Sequence, residues 1–294
     1  MAALLTKVRM KMSIHAHRAV RGLLDGQYGS IHKGRSMDFD DLRAYVPGDD
    51  IKDLDWKATA RTGHPLVTRY VAERRHTVLL VVATGRSMAA MSEVDASKRD
   101  VAIMAIGVLG YIAQKHGDVV GMVAGDASAS TTFPPGGTHG HLERLLRHVH
   151  DRTTVDAAPA DLAHTLEHAI RTVRRRTIMV VVADDVDLDG RHLQLIRRLG
   201  VQHELLFISI GDLSPVEQSA LGHDVYDVDL LAGLPPFIRQ DPALAEDVAR
   251  RAAQRHDERR IALGRLGIAS VQITGEAAVV PALVRLLEAH RHAR

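Results

Sequence analysis

Two heptads, TVLLVVA at Thr77–Ala83 and TIMVVVA at residues 177–183, are apolar almost from end to end. A strand with one wet face alternates polar and apolar residues, so runs without alternation are read as strands covered on both faces. HELLFISI at residues 203–210 is a further run of this kind, and residues 119–124 add another, with 129–133 pairing beside it as an edge strand through a turn at Asp126. Between the runs lie segments of helical spacing at 96–116, closed by Gly117, then within FPPGGTHGHLERLLRHVHD, from Pro159 to about 175, and in DGRHLQLIRRLG. Further on come a short strand at 225–228, a charged helix at 242–266, a late strand at 268–273 and a closing helix at 277–290. Buried strands separated by helices specify a Rossmann-like α/β domain: a mostly parallel central sheet with helices on both faces.

At 294 residues the chain has room for one large domain with an ordered extension. The division expected is an N-terminal helix plus an irregular segment over residues 1–75, packing on a main α/β domain over 76–294. The first helix offers Leu4, Leu5, Val8, Met12, Ile14 and Val20 to one broad face. No apolar run reaches the roughly 18 residues of a bilayer span, and the N-terminus lacks a secretory apolar block, so a cytoplasmic protein without a membrane span is expected. The absence of cysteine excludes disulfides, thiolate metal sites and thiol nucleophiles. A net charge of +2 is too small for the concentrated basic face that nucleic acid requires.

Sheets of this type bind ligands beyond the carboxyl ends of their strands, where strand order reverses. The loops in question read ATGRSM after Val82, ADDVDLDG after Val182 and GDLSP after Ile210. Upstream, the segment DFDDLRAYVPGDDIKDLDWKATARTGHPLVTRY has neither helical nor alternating periodicity, so short strands, turns and one helical turn are expected there. This segment, followed at once by an apolar strand and a small-residue loop, resembles domain-of-unknown-function family 58. The resemblance runs from about Gly29 to the C-terminus and rests on Arg43, Tyr45, Pro47, Gly48, Asp49, Asp50, Asp55, Trp56 and Arg61. It implies a von Willebrand factor A-like domain and a partnership with a MoxR-type AAA+ ATPase.

In von Willebrand A domains the strand-end loops can hold Mg²⁺ through an Asp-x-Ser-x-Ser motif, a Thr from a second loop and an Asp from a third. Such hard-oxygen ligation suits a six-coordinate cation that keeps some water. Aligned after the strand, the motif falls on Ala83, Gly85 and Ser87; the second-loop Thr falls near Ala160, and Asp184 matches the third loop with Asp185 beside it. Ser87 and Asp184 are the two ligand positions left, and Thr84 adds a displaced hydroxyl. Arg86 places a cation where the metal would sit, opposed by several kcal/mol at about 4 Å and an effective dielectric near 20. No metal or other cofactor is therefore expected, with weak Mg²⁺ binding left open, and an Arg86–Asp184 ion pair is expected to tie the loops instead.

Other groups have simpler readings. Asp49, Asp50, Asp53 and Asp55 are all-oxygen candidates for a divalent cation, but they lack EF-hand spacing and suit turn caps and arginine partners. Trp56, the single tryptophan, is expected to bury its ring. Histidines recur two apart at His15 and His17, His139 and His141, His148 and His150, and His290 and His292; residues two apart on a helix diverge, leaving His139 and His141 as a loop pair open to a metal. Ser87 lacks the Gly-x-Ser-x-Gly elbow of a serine nucleophile. The function expected is a non-enzymatic adaptor or co-chaperone for a MoxR-type ATPase and its client proteins, its rim formed by Thr84, Arg86, Ser87, Asp184 and Asp185. The alternative is a Mg²⁺-dependent phosphate-ester hydrolase using Asp49, Asp50, Asp53 and Asp184.

Overall fold

The structure, a computed structural model, describes residues 3–15, 28, 42–46, 54–68, 75–93, 95–214, 226–230, 232–233 and 241–292. The chain divides into two compact units: Met1–Tyr28 with His76–Arg294, and Gly29–Arg75. The N-terminal helix thus groups with the α/β unit and not with the irregular segment.

Helix α1 (Leu4–His15) opens the chain. The second unit contains β1 (Leu42–Ala44), α2 (Trp56–Thr62) and β2 (Leu66–Thr68), with β1 and β2 antiparallel. The larger unit continues with β3 (Thr77–Ala83), a 3-10 turn (Arg86–Ala89), β4 (Met91–Glu93), β5 (Ala96–Ser97) and α3 (Lys98–Lys115). Then come β6 (Val119–Gly125), β7 (Ser130–Gly136), α4 (His139–Arg152), α5 (Leu162–Thr172), β8 (Ile178–Asp184), α6 (Gly190–Gln202) and β9 (Glu204–Ile210). The chain closes with β10 (Tyr226–Asp227), β11 (Ala232–Gly233), α7 (Pro242–Arg265), β12 (Ala269–Ile273) and α8 (Val279–His292).

Six strands form one sheet in the order β12-β9-β8-β3-β6-β7, parallel throughout except for β7, which runs antiparallel at its edge. The first apolar heptad, β3, lies at the centre because the chain winds outward from it in one direction, then returns and winds in the other. Along β3, Leu79, Val81 and Ala83 face a core shared with Leu166 of α5, Ile196 and Leu199 of α6 and Leu263 of α7. By the period of two, Val78, Leu80 and Val82 point the other way, where α3 packs with α1, α4 and α8 around it. That surround explains why α3 is apolar on nearly every side. A Cβ on Gly107 of α3 would lie 2.9 Å from the Val8 side chain, so the missing side chain lets α1 close on α3.

At the amino ends of the strands, the buried Asp118 carboxylate accepts from the Tyr28 hydroxyl at 2.8 Å and from the His76 backbone N–H at 2.8 Å. Burial, then the charge and hydrogen bond of Asp118, push the Tyr28 phenol well above its ordinary range, so it stays a donor.

Within the second unit, Asp55 caps α2 by accepting from the backbone N–H groups of Lys57 and Ala58, each at 3.0 Å. Arg43 lies opposite Val67 in the β1–β2 ladder, the Tyr45 N–H donates to Pro65 O at 2.9 Å, and Arg61 is exposed in the last turn of α2. Trp56 departs from expectation: as the first residue of α2 it is 66% exposed and does not bury its ring. Pro47, Gly48, Asp49, Asp50 and Asp53 lie outside the described residues.

Candidate functional site

The carboxyl ends of β3, β6, β8 and β9 gather the loops that begin at Thr84, Asp126, Asp185 and Gly211. Thr84 is buried, and its N–H donates to Gly125 O at 2.7 Å. Gly85 then takes φ +115° and ψ 179°, a region that glycine alone occupies comfortably. A Cβ there would meet Ala158 O at 2.6 Å and Ala160 N at 2.7 Å. The next N–H, that of Arg86, donates to Ala158 O at 3.0 Å. The loop expected to carry the missing threonine at Ala160 therefore sits directly on the first loop, main chain against main chain.

The 3-10 turn that follows lies against β8 and buries Ser87, whose Oγ has no hydrogen-bond partner among the described residues. Asp184, the last residue of β8, is half-buried. The expected Arg86–Asp184 tie is not formed. The Arg86 Nε instead faces Asp229 Oδ1 at 3.8 Å, in a segment whose turn is held by Asp227 accepting from the Asp229 N–H at 2.8 Å. Asp185 also turns away from the rim. Its Oδ1 accepts from Arg259 of α7 and, at 3.1 Å, from Gln272 of β12, while Arg259 Nη1 donates to Val186 O at 3.1 Å. The side chains of Arg259 and Asp185 are 4% and 11% exposed, so this is a buried ion pair linking the loop after β8 to α7 and β12.

A second cation was missed in the sequence. Lys98, the first residue of α3, is 2% exposed, and its Nζ donates to Asp212 in the loop after β9. The Lys98 N–H also donates to Ala90 O at 2.8 Å, and the Leu213 N–H to Met91 O at 2.8 Å, so the first and third loops are joined on both sides of this pair. The Asp212 side chain is half-exposed, yet desolvation by the protein around it raises its carboxyl above the usual carboxylate range; Lys98 pulls it down, and the charges of Asp184 and Asp185 push it up again. The signal for Lys98 was a charge at the start of a helix whose middle turns are apolar.

A folded-state acid pKa raised above its unfolded value means that the native state holds the extra proton, so stability falls as pH rises through that window. Lys98→Met removes the one influence that lowers Asp212. The variant is expected to lose stability somewhat more steeply than wild type as pH rises above about 4, the ordinary carboxylate value, measured by denaturant melts at several pH values. Equal slopes would remove Lys98 from the electrostatics of the rim.

Three further features bear on ligand binding. Asp126, buried at the turn after β6, is pushed up by burial, but hydrogen bonds from Ser128 and Ala129 and the Arg152 charge outweigh this and hold it low. His139 and His141 are not a loop pair: both lie in the first turn of α4, capped by Thr138. His141 Nε2 bonds Val120 O at 2.9 Å, and His139 Nδ1 pairs with Gln114 Oε1 at 2.9 Å, so each ring is already engaged. Among the described residues, no group of three or more His, Asp or Glu side chains is arranged to hold a metal ion. The Mg²⁺ site implied by the resemblance does not fit: Ser87 Oγ and Asp184 offer oxygens, but backbone fills the space beside Gly85 and Arg86 stands with them.

Residues 41–227 match the family described as "Protein of unknown function DUF58". The chain belongs to this family. Over 236 residues, DUF58 kinship extends at 31% identity to the uncharacterized protein Rv1480 of Mycobacterium tuberculosis and to Mb1516 of Mycobacterium bovis, covering 79% of this chain and 73% of each of those. Among solved structures, BatB from Bacteroides thetaiotaomicron aligns at 14% identity and TM-score 0.45, over 72% of this chain and 97% of that one. An aerotolerance-related membrane protein from Bacteroides fragilis aligns at 15% and 0.44, over 72% and 98%. A von Willebrand factor type A protein from Catenulispora acidiphila aligns at 9% and 0.40, over 76% and 44%. The DUF58 chain has a mixed α/β architecture, a mostly parallel central sheet flanked by helices. The cytoplasmic expectation is corrected: the Bacteroides fragilis neighbour is a membrane protein, and what holds for this chain is that, among the described residues, no helix is long and apolar enough to cross a membrane.

Proposed function

We propose that this DUF58 protein is a non-enzymatic adaptor or co-chaperone that works with a MoxR-type AAA+ ATPase in the assembly or maturation of client proteins. Family and fold fit a protein-interaction role. The observation that carries the reading is at the rim, where the strand-end loops are joined by the chain's own ties: Gly85 against residues 158–160, Arg86 with Asp229 and Lys98 with Asp212. A rim closed by its own ion pairs offers shape and charge to a partner protein. Arg86, a quarter exposed and, among the described residues, paired at 3.8 Å with a half-exposed Asp229, is the cation best placed to exchange its partner for an acidic group on the ATPase.

Pull-down of the purified ATPase, with and without ATP, tests this. Arg86→Glu is expected to cut capture by roughly tenfold, with the melting profile little changed because the lost pair is partly solvated. Undiminished capture would move the interface off this rim.

A further inference from the structure

The two edges of the central sheet differ in a way that the rim does not explain. The β7 edge reads STTFPPG, and Pro134 and Pro135 lack the N–H groups that another strand would need. The opposite edge, β12, reads ASVQI, with neither proline nor charge to blunt it. Its inner side is fixed: Val271 O accepts from Ser209 Oγ at 3.5 Å and Ile273 O accepts from the Gly211 N–H at 2.8 Å. Main-chain groups alternate sides along a strand, so Ser270 and Gln272 turn theirs outward.

Outside this edge lies a cleft of about 340 Å³, lined by Ser270, Gln272 and Thr274 from the strand region, His256 and Arg260 from α7 and Arg285 from α8. None of its lining residues among those described is acidic. Arg260 makes a 3.2 Å pair with Asp257 in which both side chains are about 60% exposed, a contact weak enough to be exchanged. Arg285 is exposed and makes no ion pair among the described residues. Among the described residues, the buried His256 Nδ1 has no hydrogen-bond partner.

We propose that the β12 edge receives an extended acidic peptide, added to the sheet as an extra strand, with Arg260 and Arg285 gripping its carboxylates from either side. Main-chain bonding to Ser270 and Gln272 supplies register, and the flanking arginines supply selectivity for acidic side chains. Because Gln272 is also tied to the buried Asp185, the receiving edge is rigid before the peptide arrives. The site is separate from the rim residue tested above, so either proposal can fail alone.

A fluorescein-labelled octapeptide repeating Val-Val-Glu-Glu, which puts carboxylates on both faces of an added strand, tests the cleft by anisotropy on the whole chain, with a Val-Val-Lys-Lys octapeptide as control. The acidic peptide is expected to bind in a salt-sensitive manner, to slow hydrogen exchange at the Ser270 and Gln272 amides, and to lose roughly tenfold in affinity with Arg285→Glu. Arg285 is exposed, so this variant is expected to fold normally. No binding, equal binding of both peptides, or binding without amide protection at β12 overturns the proposal. So does a wild-type dimer in sedimentation that Ser270→Pro converts to a folded monomer, because the edge would then serve a second copy of the chain.

Discussion

Gly85→Ser is expected to destabilise the protein by about 3 kcal/mol or more, lowering Tm by about 6 °C or more, although serine is what a von Willebrand A metal motif carries at that position. Two effects add. The backbone at φ +115° is strained for any residue with a Cβ, and the new atom must occupy space within 2.6 Å of Ala158 O and 2.7 Å of Ala160 N. Neither neighbour is a flexible side chain that swings aside; both are main chain. Restoring the acid as well, in Ala83→Asp with Gly85→Ser, is expected to give no micromolar Mg²⁺ site by calorimetry. Wild-type stability in the serine variant, or micromolar Mg²⁺ binding in the double variant, would show that the two loops separate more easily than their packing implies.

Asp185→Ala is expected to cost about 3–5 kcal/mol in denaturant melts, because it leaves the Arg259 guanidinium buried with Val186 O as its remaining described acceptor. The decisive comparison is a double variant. Asp185→Leu with Arg259→Met removes both charges, and its stability is expected to return to within about 1–2 kcal/mol of wild type, since the desolvation of two ions is removed together with their attraction. If the double variant is as unstable as Asp185→Ala, packing and not charge holds the loop after β8.

Legibility in the sequence followed burial. Strands β3, β8 and β9 were evident because a two-sided parallel sheet demands unbroken apolar runs, and their parallel direction followed from the helices between them. The three rim loops were found by the same logic. What escaped was pairing. Arg86 was matched with Asp184 by proximity to the expected metal, whereas its partner, Asp229, lies in an irregular segment with no periodicity to place it. Asp185 was assigned to the rim because it neighbours Asp184, but successive residues at a strand end point to opposite sides, and Asp185 went to Arg259. Lys98 and Asp212 are joined only once the sheet brings helix and loop together. Trp56 shows the limit of residue type as a guide: its large ring suggests burial, yet its place at the start of a seven-residue helix leaves it exposed.

One carboxylate described earlier bears on how β3 enters the sheet. Asp118 receives Tyr28 through one oxygen and His76 through the other, so the last described point before residues 29–75 and the first residue after them meet at a single fixed post. The intervening stretch is an excursion with a common gate for departure and return. The register in which β3 enters the sheet is therefore set inside the α/β unit itself, by Asp118 holding the N–H of His76 next to Thr77, where β3 begins.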